Sequence, residues 1–492
     1  MGHGQVTPMR LKSSAGRWAV AATVLGSGAV FLESTVMTVA APAIGRDLDL
    51  GMAGLQWLLN AYMLPLSALI LLGGSLGDRY GRRRVFVVGL IGFATASALC
   101  MAAPGFRTLL ACRLLQGVFG ALLVPNSLAI LDSLFAEEDR GAAIGQWAAW
   151  SGVSTALGPL VGGWLVDALS WRSVFACVVP FAFAAAWIAA RRMPADEPSG
   201  AGTVDYAGAV LVTLGLAGVT AAFVAGPSLG ETAGQAVAGG GGLVLLAAFV
   251  LVEGHVRDPM LPLGLFRSRQ FTGTNLVTLL VYAALGGFFF LFVLTLQNSL
   301  GYSALASGAA LMPVNLLMLL VSPRAGRWSA RVGARIPMTA GAAVAAAGLL
   351  LLSGVGPGTR YLTGLAPGLA LFGVGLATLV APLTAAVLGA VPDERTGVAS
   401  AVNNATARLA GLLGTVVLPL AAGLGGLREL RGATLADGAG AALRISAGLC
   451  LAGAAVAFFT VRAGASVVTV THPSSTLGCS QLGGHHDRHS RG

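Results

Sequence analysis

Charge is scarce in this 492-residue chain: only 10% of its residues are Asp, Glu, Lys or Arg, against about a quarter in soluble domains. With 55% hydrophobic residues, that scarcity argues against a water-soluble globular fold and makes the bilayer the expected solvent. Lysine is nearly absent, Lys12 being the only one. No G-x-x-x-x-G-K-[ST] phosphate loop occurs, which disfavours an ATP-driven pump. The five cysteines, Cys100, Cys112, Cys177, Cys450 and Cys479, form no C-x-x-C pair, so neither a disulfide framework nor a zinc site is implied. Long polar stretches are missing too. The longest are the N-terminal tail, the linker Arg191–Asp205 and the tail from Ala463 to Gly492, too short and bare for a membrane enzyme or receptor domain. His485, His486 and His489 stand among Gly, Ser and Arg in that last tail and read as disorder rather than a metal site.

Long apolar runs are what the chain has instead. Windows of ~20 residues give fourteen spans, at 18–44, 54–76, 85–103, 107–131, 142–168, 173–190, 206–226, 236–253, 273–299, 305–323, 336–354, 361–388, 398–424 and 439–460. The signal is weakest between 200 and 260, where the run Gly239–Gly242 dilutes it. The first run is too long for a signal-peptide core and reads as an uncleaved span. The formal charge of +10 would suggest nucleic acid in a soluble protein; here arginines in short loops explain it, and no nucleic-acid partner is expected. With both termini cytoplasmic, one side collects Arg79, Arg82–Arg84, Arg140, Arg191, Arg192, Arg324, Arg327, Arg331 and Arg335. The other holds Arg46, Arg107, Arg172, Arg360, Arg428, Arg431 and Arg444, roughly a third as many as all the inner ones, as the positive-inside rule asks. The expected architecture is an all-α polytopic membrane protein of two six-helix bundles plus two inserted helices. Its divisions are a cytoplasmic tail at 1–17, a bundle at 18–190, a linker with spans seven and eight at 191–272, a second bundle at 273–460 and a disordered tail at 461–492.

The polar loop Gly77-Asp78-Arg79-Tyr80-Gly81-Arg82-Arg83-Arg84 joins spans two and three in a tight hairpin. Arg82–Arg84 serve equally well as a topology anchor, whereas Asp78 with Gly77 and Gly81 suits a functional latch. Gly326–Arg335 repeats the loop's spacing without its aspartate, and Asp139-Arg140-Gly141 is echoed by Glu394-Arg395-Thr396-Gly397. Two related halves around a central cavity follow, with spans seven and eight inserted. Three ionisable residues fall inside spans, where each is costly and marks a candidate site: Glu33, Arg113 and Arg408. A carboxyl in a low-dielectric cavity can change charge as its surroundings open, the minimum needed for coupling to protons; a static pair with Arg113 is the plainer alternative. Asp132, Asp167 and Glu253 lie at helix ends and read as solvated. Gly158 and Gly162 share a helix face that admits a close neighbour, and Pro159 with Gly163 suggests a kink. Candidate cavity residues are Tyr62, Asn126, Trp147, Trp150, Phe288, Phe289, Asn403 and Arg408.

Together these stretches resemble the major facilitator superfamily, specifically its fourteen-span drug:proton antiporters. The loop Gly77–Arg84 is similar to the signature between spans two and three; Leu110–Gly117 resembles the fourth-span arginine motif; Gly158–Gly163 resembles the fifth-span antiporter motif. Leu32–Ile44 is similar to the first-span motif, with Glu33 where Asp is usual and Ala41 before Pro42 where Leu is usual. The resemblance implies a proton-coupled exporter of hydrophobic or cationic small molecules working by alternating access, as a monomer, with the proton gradient as its energy source and no cofactor. It further implies that Asp78, with Arg79 and Arg82, latches onto the N-terminus of the thirteenth span around Thr396-Gly397-Val398 in the outward-open state. Arg113 would act on the acidity of the first-span carboxyl. A proton-coupled importer, or an exporter of one specific metabolite, on the same fold is the rival reading.

Overall fold

The computed structural model describes residues 9–194, 204–224, 232–256, 259, 261–392, 395–425 and 432–462. The tail with His485, His486 and His489 lies outside them. Among the described residues, thirteen helices are long and apolar enough to cross a membrane. In chain order they are the first span (Ser14–Asp47), second (Met52–Tyr80), third (Arg82–Met101), fourth (Phe106–Leu134), sixth (Ser173–Arg192), seventh (Tyr206–Val224) and eighth (Gly234–Glu253). After them come the ninth (Arg269–Asn298), tenth (Ala304–Val332), eleventh (Arg335–Leu352), twelfth (Tyr361–Leu388), thirteenth (Thr396–Ala421) and fourteenth (Gly432–Thr460). The fifth is Glu137–Ala168, 32 residues long and more polar, with Glu137, Glu138 and Asp139 in a first turn where negative charge is favoured. Fourteen helices thus stand where the apolar windows lie.

Local chemistry explains the interruptions. The fourth span breaks between Ala121 and Val124, and the tenth between Ala310 and Met312. In each, a proline (Pro125, Pro313) opens the second segment, where its missing N–H costs nothing. The two echoing loops turn on the same device: Gly81 and Gly333 cap the second and tenth spans at φ 96° and 83°, a region open to glycine.

Packing repeats with an offset of eight spans. The first span packs on the fifth and sixth, the second on the fourth, and the third on the fourth and sixth; the ninth packs on the thirteenth and fourteenth, the tenth on the twelfth, and the eleventh on the twelfth and fourteenth. Each half has its own apolar core, around Phe86, Leu90, Phe93 and Val178 in one and Phe288, Phe292 and Phe372 in the other. Spans seven and eight pack on each other, and the seventh also on the second and thirteenth. The glycines that blurred this region in the sequence are its contact surface: a Cβ on Gly215 or Gly218 would run into the backbone of Gly242.

One expectation is corrected. Glu253 is buried rather than solvated; its Oε2 accepts the Leu261 N–H at 2.9 Å, and a Cβ on Gly208 would meet both its carboxylate and that of buried Asp205. The end of the N-terminal tail is docked. The Met9 N–H donates to the Leu134 carbonyl at 2.8 Å, Arg10 pairs with Glu138, and the Leu11 N–H donates to Asp139 at 2.9 Å.

Candidate functional site

Glu33 and Arg113 meet inside the first half, each 1% exposed. The fourth span carries Arg113 and Gln116 on one face, three residues apart, so one guanidinium nitrogen donates both to Glu33 Oε1 and, at 2.8 Å, to Gln116 Oε1. Arg113 Nε donates to the Leu58 carbonyl at 3.3 Å, and Gln116 donates onward to Ser97 Oγ at 2.8 Å. The Tyr62 ring covers the guanidinium at 4.7 Å and Phe175 stands at 5.9 Å. Glu33 Oε2 and the Tyr62 hydroxyl have no hydrogen-bond partner among the described residues. One carboxylate oxygen is therefore spent on the ion pair and the other is uncommitted.

The seam between the halves is closed at the end opposite the arginine-rich loops. There Asp167 receives the Ala304 N–H at 3.1 Å and the Leu305 N–H at 2.8 Å, while Ser303 Oγ takes the Ala306 N–H at 3.1 Å. The first turn of the tenth span thus has its donors met, two of them by the other half. Arg46 donates to Asn298 at 3.1 Å and Gln297 to the Val39 carbonyl at 2.9 Å. Gln56 donates to the Thr415 carbonyl at 3.0 Å, and Thr415 to Asn60 at 2.8 Å. An apolar cluster at this end mixes both halves, Val36 and Leu55 with Leu291 and Leu418.

Towards the arginine-rich end the seam parts. Along the fifth span, Gly163 abuts the backbone of Ala304 and Leu305, the Pro159 carbonyl abuts Gly308, and the Ala156 carbonyl accepts from Asn315 at 3.4 Å. One and three turns further, Gly152 and Gly145 have nothing within 4 Å of where a Cβ would stand. The thirteenth span behaves alike. Thr415 and Leu412 touch the second span, whereas Arg408 on the same face is half-buried, Asn404 is exposed and Gly397 has open space. The halves enclose a vestibule open to the arginine-rich side, with Tyr62 and Arg408 as neighbours at its apex.

The remaining candidate residues fall into place around this seam. Gly158 and Gly162 face Thr35 and Val36 of the first span, close to Glu33, while Gly163 faces the tenth. The helix runs on through Pro159 from Glu137 to Ala168. Asp78 is half-exposed and is held by Arg82 one turn on, at 2.8 Å; Arg82 also donates to the Ala129 carbonyl at 2.9 Å, and the Arg79 guanidinium lies 5.7 Å from the Tyr80 ring. Trp147 is half-buried, donating to Ser27 Oγ at 3.0 Å and lying edge-on to Phe31. Asn403 ties the thirteenth span to the ninth through Asn275 and Thr278, at 3.2 and 2.7 Å.

Four of the expected cavity residues do not line it. Phe288 is fully buried between Phe292 and Phe372 in its own half, and Phe289 packs on the same core, because the vestibule runs between bundles and not through them. Asn126 is fully buried and donates to the Gly73 and Leu122 carbonyls at 2.8 Å, bracing spans two and four. Trp150 belongs to the exposed stripe Trp150, Leu157 and Trp164, whose seven-residue spacing defines a separate face of the fifth helix, suited to lipid. Sequence reading also missed Gln116, Gln56, Asn60 and Thr415, and set Asp167 aside. Neutral amides and hydroxyls in apolar helices were the available signal.

The position of Asn126 yields a first prediction. A side chain at Gly77 would overlap that of Asn126, so Gly77→Val is expected to cost about 1–3 kcal/mol by overpacking the contact of spans two and four. Thermal unfolding of the purified variant reads this out; an unchanged midpoint would mean that the two helices part freely there.

Comparison with other proteins agrees with this architecture. Residues 23–415 match the family model of the Major Facilitator Superfamily. The puromycin resistance protein pur8 of Streptomyces alboniger is 36% identical over 416 residues, covering 82% of this chain and 80% of that protein. The cephamycin export protein CmcT of Amycolatopsis lactamdurans is 36% identical over 437 residues, covering 85% and 89%. The tetracenomycin C resistance and export protein of Streptomyces glaucescens is 33% identical over 410 residues, covering 81% and 74%. Among solved structures, a bacterial homologue of the human lysosomal transporter Spinster superposes with a TM-score of 0.62 at 16% identity, covering 91% of this chain and 97% of that one. The POT family transporter PepTSo does so with 0.62 at 15%, covering 89% and 96%; both likenesses are of fold. Two bundles repeating one packing pattern, a seam closed at one end only and a match over most of the length give one answer: the chain belongs to the major facilitator superfamily.

Proposed function

We propose that this protein is a secondary exporter of antibiotic-like or drug-like small molecules, driven by protons and working by alternating access, with no enzymatic step and no cofactor. The observation that carries the reading is the buried Glu33–Arg113 pair, covered by Tyr62 at the apex of a vestibule between two bundles. Relatives of comparable length are named for antibiotic resistance and export, which supports the direction of transport. The arginine-rich face is taken as cytoplasmic, with both termini inside and the cell membrane as the location. Cargo enters the vestibule from that side or from the inner leaflet, a proton arrives at Glu33, and the halves rock about the Tyr62 level. A single chain carries both halves of the seam, so a monomer suffices.

The direction of coupling tests this. In inside-out vesicles with an imposed acid interior, cargo from a drug and dye panel is expected to accumulate inside as protons leave, and a protonophore abolishes the accumulation. Cargo moving the same way as the protons would make the protein an importer and overturn the reading.

A further inference from the structure

Arg408 stands where a cation is hardest to keep. It lies at the middle of the thirteenth span, twelve residues from Thr396 and thirteen from Ala421, on the face that meets the second span. It is half-buried, and no carboxylate among the described residues pairs with it, whereas Arg10, Arg82, Arg113, Arg140 and Arg172 pair with Glu138, Asp78, Glu33, Asp132 and Asp47. Tyr62, its neighbour across the seam, carries no charge. The deeper acid, Glu33, is already neutralised by Arg113. Other polar groups along the seam, Gln56, Asn60, Asn315 and Thr415, carry no charge. The apex of the vestibule therefore has one uncompensated positive charge between low-dielectric walls, where its field is weakly screened.

We infer that Arg408 is the anion-recognising residue of the central cavity and that the cargo carries an ionised acidic group, a carboxylate or similar oxygen acid. The inference rests on the exporter reading and narrows it. A guanidinium offers paired N–H donors matched to a carboxylate, and its charge-assisted hydrogen bonds are short and directional. A basic cargo would instead meet a like charge at the narrowest point of its path. In this respect the cavity departs from the cationic compounds that the family resemblance suggested. The position also suits gating, because Arg408 lies just below the level where Leu412 and Thr415 close the seam. An anion held there bridges the thirteenth span to the second before the halves rock.

Binding to purified full-length protein in phosphatidylcholine nanodiscs, which exclude anionic headgroups, separates charge from shape. The probes are naphthoate, naphthamide and naphthylmethylamine, matched in ring and differing in charge. Wild type is expected to bind the acid about tenfold or more tightly than the amide, and the amine most weakly. Arg408→Gln should equalise acid and amide, and Arg408→Lys should restore part of the preference; a thermal unfolding midpoint like that of wild type in both variants reports an intact fold. An acid preference that survives Arg408→Gln, or acid bound no better than amide by wild type, overturns the inference. Outward transport of the amide without an acid preference would remove this inference and leave the exporter standing. Proton-coupled import of the acid would do the reverse.

Discussion

Arg113→Ala is expected to destabilise the protein by about 3–5 kcal/mol, the usual cost of leaving one member of a buried ion pair without the other. The cost is high here because removing Arg113 strips three acceptors at once: Glu33 Oε1, Gln116 Oε1 and the Leu58 carbonyl. Glu33→Gln should be much milder in stability, since the amide oxygen still accepts from Arg113 and the shape is kept. Its effect falls on transport: with no group able to gain and lose a proton at this position, gradient-dependent efflux is expected to disappear while cargo binding persists. Thermal unfolding of Glu33→Gln, Arg113→Ala and the double variant forms a cycle in which the coupling energy is read directly. Dye efflux in a pump-deficient host gives the second readout. Efflux in Glu33→Gln that is undiminished and still abolished by a protonophore would remove Glu33 from the mechanism.

The second large effect concerns Asp167, which sequence reading set aside as a solvated helix-end residue. Its carboxylate joins two N–H groups at the N-terminus of the tenth span, a position of partial positive charge. It is thus the counterpart, at the opposite end of the seam, of the latch that the resemblance assigns to Asp78 and the thirteenth span. Asp167→Ala leaves the Ala304 and Leu305 N–H groups without that acceptor and should favour parting of the halves at this end by about 1.5–3 kcal/mol, a population shift of tenfold or more. Asp167→Asn, which keeps one acceptor but no charge, should fall between. Spin labels at Leu169 and Leu362, 67% and 79% exposed on different halves, report the change as a longer distance population. An unaltered distance distribution in Asp167→Ala would show that Gly163, Gly308 and the shared apolar cluster hold this end closed without it.

How much could be read from the chain depended on the kind of residue. Spans came out almost complete because ~20 apolar residues are a bulk property that needs no partner. Glu33, Arg113 and Arg408 were visible as single charges in oil. Gly158, Gly162 and Gly163 were visible as a group, but only the packed helices divide them between the first span and the tenth. Aromatic residues were the least legible. Phe288 and Trp150 sit in equally apolar surroundings in the sequence, yet one is enclosed by its own bundle and the other is 57% exposed.

The linear chain by itself determined the solvent, the number of crossings, the doubled architecture and the identity of the buried charges, because hydropathy, arginine placement and repeated turns are all local in sequence. Only the tertiary structure decided which end of the seam is shut, that Asp167 does part of the shutting, and that Glu33 has a partner while Arg408 has none among the described residues. Those facts depend on distances between residues 80 and 137 positions apart in the chain, and no pattern along one helix records what the facing helix supplies.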